Sequence, residues 1–208
     1  MSNDFLELIL GSGARARLIK FFILNPVSKV SPQELKERLQ IDQRRVRGEL
    51  DTLIKIGVIK KRKALSRFLY YLDKENQYYP ELKKIVAKCT IFPQLKSIDK
   101  ITKTGHVKLV LVSGIFANTL KTRADILIIG DAINKVRLRD VIREVEAEIG
   151  RELRYATFSS EEYEYRLNMF DKFIREFFDS PHKIILNRMG DKGIPMLIKK
   201  QSESIVRK

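Results

Sequence analysis

Apolar residues recur at helical spacing through the first third of the chain. In GSGARARLIKFFILNP (11–26), Leu18, Ile19, Phe22 and Ile23 mark one face of a helix. Ser12 stands where a first-turn cap belongs, and Asn25-Pro26 stops the helix. In SPQELKERL (31–39), Ser31 and Glu34 have capping-box spacing, Pro32 takes the first helical position, and Leu35 and Leu39 form a short inward stripe. After a very short turn, Asp42 heads QRRVRGELDTLIKIG, whose Val46, Leu50, Leu53 and Ile54 point one way and whose Gly57 closes it. The period then becomes two. Val58 and Ile59 open one strand, and Phe68, Tyr70 and Leu72 alternate with Leu69 and Tyr71 on another, predicting a hairpin over 58–75. Helical spacing returns in YYPELKKIVAKC (78–89), with Leu82, Ile85 and Val86 inward.

The second half alternates strand and helix. HVKLVLVSGIF and ADILIIG read as buried strands, ELRYATF (152–158) as a third and HKIILN (182–187) as a last short one. Between them lie a helix over 135–150, with Leu138, Val141, Ile142, Val145 and Ile149 inward and Gly150 at its end, and a largely helical stretch opened by Ser159 and Glu162. The pattern predicts an α+β protein of two domains. The first covers 1–89, a link runs through 90–105, the second covers 106–187, and a basic tail follows at 188–208.

Charge separates these parts. The chain of 208 residues carries a net charge of +15. Residues 1–100 hold +10 of it, residues 101–182 are neutral, and 183–208 hold +5. A basic front attracts polyanions, nucleic acid first among them, with anionic membrane and plain solubility as alternatives. The tail would add nonspecific DNA affinity or merely keep the chain soluble. Cys89 is the only cysteine, so no intramolecular disulfide forms, which fits a reducing interior. No apolar run approaches the ~20 residues of a membrane span, and MSNDFLELIL lacks the basic start of a signal peptide. A cytoplasmic protein is expected.

The basic residues gather where two capped helices meet. The second of these helices exposes Gln43, Arg44, Arg45, Gly48 and Lys55, with Arg47 at its edge. The hairpin that follows carries Lys60, Lys61, Arg62, Lys63 and Arg67. Two capped helices on a short turn are a helix-turn-helix signature, and a basic hairpin after the second helix is a wing. Residues 5–88 resemble winged-helix bacterial and archaeal transcription regulators of the ArsR-like type. The resemblance implies that the second helix enters the major groove, where arginine takes guanine in a bidentate pair. It implies that the hairpin grips phosphates or the minor groove, and that flanking helices such as 78–89 pair two subunits. Metal sensors of that type use clustered Cys or His, and this region offers only Cys89. Gly48 is either neutral or a place where the helix backbone meets DNA.

Residues 101–187 resemble the minimal nucleotidyltransferase-like domain of the polymerase-beta superfamily, often fused behind a winged helix. In that family a Gly-Ser pair cradles phosphate, and two aspartates one residue apart, with a third carboxylate, hold divalent metal. Here Gly114 and Asp125 match, but Ile115 replaces the serine, Leu127 replaces the second aspartate, and RYATF has no acid. The resemblance therefore implies a catalytically degenerate domain without cofactor. Asp125 would be left as a strand cap or as the partner of Arg123 or a nearby lysine. The glycines of GSGAR lack the later Gly-Lys-Ser/Thr of a phosphate loop. His106 and His182 are isolated, and no Ser-His-Asp, zinc or Rossmann pattern appears. The expectation is a sequence-specific regulator of transcription that binds double-stranded DNA as a homodimer. Its second domain would sense a nucleotide or protein effector, dimerise or bind a partner. The alternatives are an active nucleotidyltransferase acting on protein or RNA, and an antitoxin-like interaction protein.

Overall fold

Three side-chain caps organise the front of the chain. Ser12 accepts from the amide of Arg15, Ser31 and Glu34 close a reciprocal box, and Asp42 accepts from the amides of Arg44 and Arg45. In the computed structural model, which describes residues 5–90, 97–119 and 122–190, these caps open α2 (Gly13–Leu24), α3 (Pro32–Leu39) and α4 (Gln43–Lys55), behind a short α1 (Phe5–Leu10). Each cap satisfies orphan N–H groups of a first turn. The inward stripes meet in one core in which Leu18, Phe22, Leu35, Val46, Leu50 and Leu53 are wholly buried.

Strands β1 (Ile59–Ala64) and β2 (Arg67–Leu72) pair antiparallel from Ile59–Leu72 to Ala64–Arg67. The turn is therefore only Leu65 and Ser66. Leu65 sits there at φ 54, a left-handed conformation that costs a bulky L-residue about 1–2 kcal/mol. A single bridge from Val30 to Tyr70 extends this sheet, a pairing that no strand pattern around Val30 announces. Helix α5 (Tyr79–Thr90) buries Val86 as its pattern predicts. Ile85, expected inward, is 38% exposed: periodicity names a helix face but not how wide a cover that face receives.

The second sheet contains β3 (His106–Val112), β4 (Ile126–Asp131), β5 (Tyr155–Phe158) and β6 (Lys183–Asn187) in the order β5-β4-β3-β6. β3 is antiparallel to both β4 and β6, while β4 and β5 run parallel. Helix α6 (Lys135–Ile149) lies between β4 and β5 in sequence. The expected single helical stretch after β5 is two helices, α7 (Ser160–Asn168) and α8 (Lys172–Asp179). Phe170 turns left-handed between them, at φ 52, and Asp171 caps α8. One face of the sheet, with Leu109, Leu111, Leu127 and Ile129, packs against Tyr163 of α7 and Ile174, Phe177 and Phe178 of α8.

The chain is thus mixed α+β, with a mixed sheet. It divides into two compact units. The first is Met1–Ser97 with Asp140–Glu152, and the second is Ile98–Arg139 with Leu153–Lys208. A second domain running unbroken over 106–187 does not match this division, because most of α6 belongs to the first unit. There, Lys20 Nζ donates to the Glu148 carbonyl at 3.5 Å, Asn25 Nδ2 to the Gly150 carbonyl at 2.7 Å, and Ser97 Oγ to Glu148 Oε1 at 2.6 Å. Of the expected link, Ile98–Lys103 forms a 3-10 turn, while 91–96, and the tail from 191 on, lie outside the described residues. No described helix is long and apolar enough to cross a membrane.

Candidate nucleic-acid interface

Helix α4 is fastened from behind, which leaves its basic face free. Its inward residues enter the core, and Glu49 is held by Ser12 Oγ at 2.6 Å and by Arg15 Nε at 2.7 Å. Arg17 donates to the Leu39 carbonyl at the turn between α3 and α4. The arginines of α2 therefore position α4, while Arg44, Arg45, Arg47, Gly48 and Lys55 are exposed. At the head of the helix, the amides of Arg45 and Arg44 hold the Asp42 carboxyl below its ordinary range. The cap is thus ionised throughout the neutral range.

The hairpin stands beside this face. Gln43, Arg47 and the acidic Asp51 of α4, Arg67, Phe68 and Tyr70 of β2, and Ser31, Pro32 and Gln33 at the start of α3 line one open groove of about 500 Å³. Lys61, Arg62, Lys63 and Arg67 are exposed, and the Lys61 ammonium lies 5.6 Å from the centre of the Phe68 ring. Lys60 departs from this set. It bridges Asp73 at 2.9 Å and Glu75 at 3.4 Å, and the bond to Asp73 raises its pKa above the ordinary lysine value. Its charge is already answered within the chain. Gln33, which sequence reasoning passed over, joins the groove, and its one sequence signal is its place just inside the Ser31 cap.

Gly48 faces open space. A Cβ built on it meets nothing within 4 Å, so intramolecular packing does not require glycine there. Gly48→Ala is expected to stabilise the protein by about 0.5–1 kcal/mol through helix propensity, read as a higher melting temperature. If the α4 backbone seats against a duplex, the same variant binds DNA more weakly. Unchanged affinity would leave the glycine without a part in binding.

The second set of residues, around Gly114 and Asp125, is closed. Asp125 is 5% exposed. Its Oδ1 accepts from the Ile115 amide at 3.0 Å and Arg154 Nη2 at 3.3 Å. Its Oδ2 accepts from the Arg154 amide at 2.9 Å and Arg154 Nε at 3.2 Å. A carboxylate offers about four acceptor positions, and these four contacts fill them. The partner is Arg154, not Arg123, which pairs with Glu176 at 2.9 Å. Gly114, at φ 55, lies so close beneath the carboxylate that a Cβ would collide with Asp125 Oδ1. The glycine is explained by Asp125 itself, which occupies the space over it with negative charge.

Leu127 is wholly buried against the α7–α8 face, where no hydrated ion reaches. Asp131, at the far end of β4, is bound by Lys108 Nζ at 2.8 Å and by the amide and hydroxyl of Ser160. These partners, Lys108 first, hold its carboxyl far below the ordinary range. The divalent metal that the polymerase-beta resemblance implies does not fit these residues. Among the described residues no three His, Cys, Asp or Glu stand together as a metal cage. Set against family models, curated proteins and solved structures, the chain matches none.

Proposed function

We propose that the protein is a sequence-specific, double-stranded-DNA-binding regulator of transcription of the winged-helix kind. α4 would be its recognition helix and the β1–β2 hairpin its wing. The observation that carries this reading is that Arg47 of α4 and Arg67 of the hairpin share one groove, each element exposing further cations, on a helix fastened by Ser12, Arg15 and Glu49. Arg44, Arg45 and Arg47 would read base edges. Lys61, Arg62, Lys63 and Arg67 would hold phosphates and set the register. Lys60 contributes less, being paired. The second unit would serve a nucleotide or protein effector, or a partner, without chemistry of its own; the filled acceptor positions of Asp125 and the buried Leu127 support that part. A homodimer would bring two copies of α4 to a pseudo-palindromic site. The exposed Phe5, Leu8 and Ile9 of α1, at 55%, 66% and 64%, offer apolar surface for the pairing.

The test is fluorescence anisotropy with the intact chain and duplexes recovered from a random pool. A recovered consensus is expected, with affinity falling steeply in salt. Arg44→Ala/Arg47→Ala should lose roughly 30- to 10⁴-fold on that consensus, at about 1–3 kcal/mol for each of two lost base contacts, and little on unrelated duplex. Failure of the pool to yield a consensus, or equal losses on both duplexes, would reduce the basic face to general polyanion affinity.

A further inference from the structure

The tip of the proposed wing does not carry a cation. Leu65 is 98% exposed at the hairpin tip, in a two-residue turn set by the Ala64–Arg67 pair. Its backbone is left-handed, at φ 54. Glycine or asparagine adopts that conformation at least cost, and both are the ordinary residues of such tips. A leucine here stabilises nothing within the chain: its side chain is in solvent and its backbone is strained. Strain without an internal return is an observation that points outward. The surroundings name the direction. Lys63 and Arg67 flank the tip, and Arg62 and Lys61 follow along β1, all exposed. An apolar side chain at the end of a cationic hairpin has the composition of the wedges that proteins press into the minor groove, partly unstacking a base step while cations hold the flanking phosphates.

We propose that Leu65 is an apolar wedge that enters the minor groove of bound DNA beside the α4 site and bends the duplex. This inference rests on the DNA-binding reading above. It extends that reading from what the wing grips to what the wing does to the duplex.

The experiment uses the intact chain and the duplex selected on it, labelled at both ends for energy transfer. Leu65→Gly removes the wedge and relieves the left-handed leucine, so it should fold with an unchanged or higher melting temperature. It should bind roughly tenfold more weakly with the bend reduced, and with the same dependence of affinity on salt, because no phosphate contact is lost. Leu65→Met, which restores an apolar wedge, should recover most of both. Lys63→Ala should lower the salt slope by about one contact and keep the bend. Leu65→Gly that retains full affinity and full bend overturns the wedge while leaving DNA binding intact. Absence of any selected duplex overturns DNA binding and the wedge together. An apolar tip among cations also suits an anionic membrane. Binding of the intact chain to phosphatidylserine vesicles that is lost in Leu65→Gly, with DNA bending untouched, would assign the tip to lipid and overturn the proposal.

Discussion

Leu127→Asp is expected to unfold the second unit and to create no metal site. The substitution writes the missing second aspartate of the nucleotidyltransferase-like pattern into β4, and if the pattern were merely short of one acid it would restore a metal pair. The surroundings argue otherwise. Leu127 is wholly buried, opposite Leu111 on β3 and Ala156 on β5, and it packs among Tyr163, Ile174 and Phe177. An aspartate there loses the leucine's packing, about 2–5 kcal/mol. It also buries a carboxyl without a partner, which costs several kcal/mol more. The sum is comparable with the whole stability of a domain, about 5–15 kcal/mol. Circular dichroism and limited proteolysis should report a second unit unfolded at ambient temperature, and magnesium titration should release no binding heat. A folded variant that binds magnesium would show this face of β4 to be open and would return the enzymatic reading to the front. Asp125→Asn is the companion change. It keeps the shape but removes the charge that answers Arg154, and should cost about 1–3 kcal/mol, read as a lower melting temperature.

Gly150→Ala is expected to damage the first unit, through contacts with α2 residues that lie far from residue 150 in sequence. Gly150 adopts φ 83, and a Cβ on it would stand 2.7 Å from the Phe21 amide nitrogen and 2.9 Å from Phe21 Cα. Those atoms are backbone, inside α2, and cannot move aside as a flexible side chain does. Left-handed strain of about 1–2 kcal/mol adds to an overpacking cost of about 1–3 kcal/mol. The bond from Asn25 to the Gly150 carbonyl would be lost with them. A fall in melting temperature of roughly 10 °C or more is expected, at about 4–8 °C per kcal/mol for a unit of this size. A melting temperature within a degree or two of the parent would mean that this end of α6 yields easily. In that event the contact would not help to hold α2 in place.

These two sites also show where sequence reading stops. Ser12, Ser31 with Glu34, and Asp42 were legible because a cap acts on amides two or three residues away, and spacing alone reveals it. The α4 face and the hairpin were legible because the period changes at Gly57 while cations continue on both sides of it. Arg154 was not legible as the partner of Asp125, since 29 residues separate them and nothing in either stretch marks the other. Gly150 could be read as a helix end but not as a contact with Phe21. The bridge between Val30 and Tyr70 rests on a single residue, too short to show an alternation. The apolar face of α6 was plain in the pattern, but a pattern records that a face will be covered and leaves its cover unnamed. For that reason most of α6, expected with the second sheet, belongs to the first unit.

The discontinuity of the first unit bears on how the protein is made. Residues 5–90 leave the ribosome with their caps, hairpin and most of their core, but the segment Asp140–Glu152 that completes the unit emerges only after 98–139. At roughly 5–20 residues per second the wait is a few seconds, with the backbone of Phe21 and the side chain of Asn25 still lacking their partners at Gly150. The second unit is also open at that moment, since β5 and β6 come later still. Synthesis therefore finishes the two units in interleaved order. A chain broken off before residue 152 carries the cations of α4 and the hairpin on a scaffold still missing its last segment.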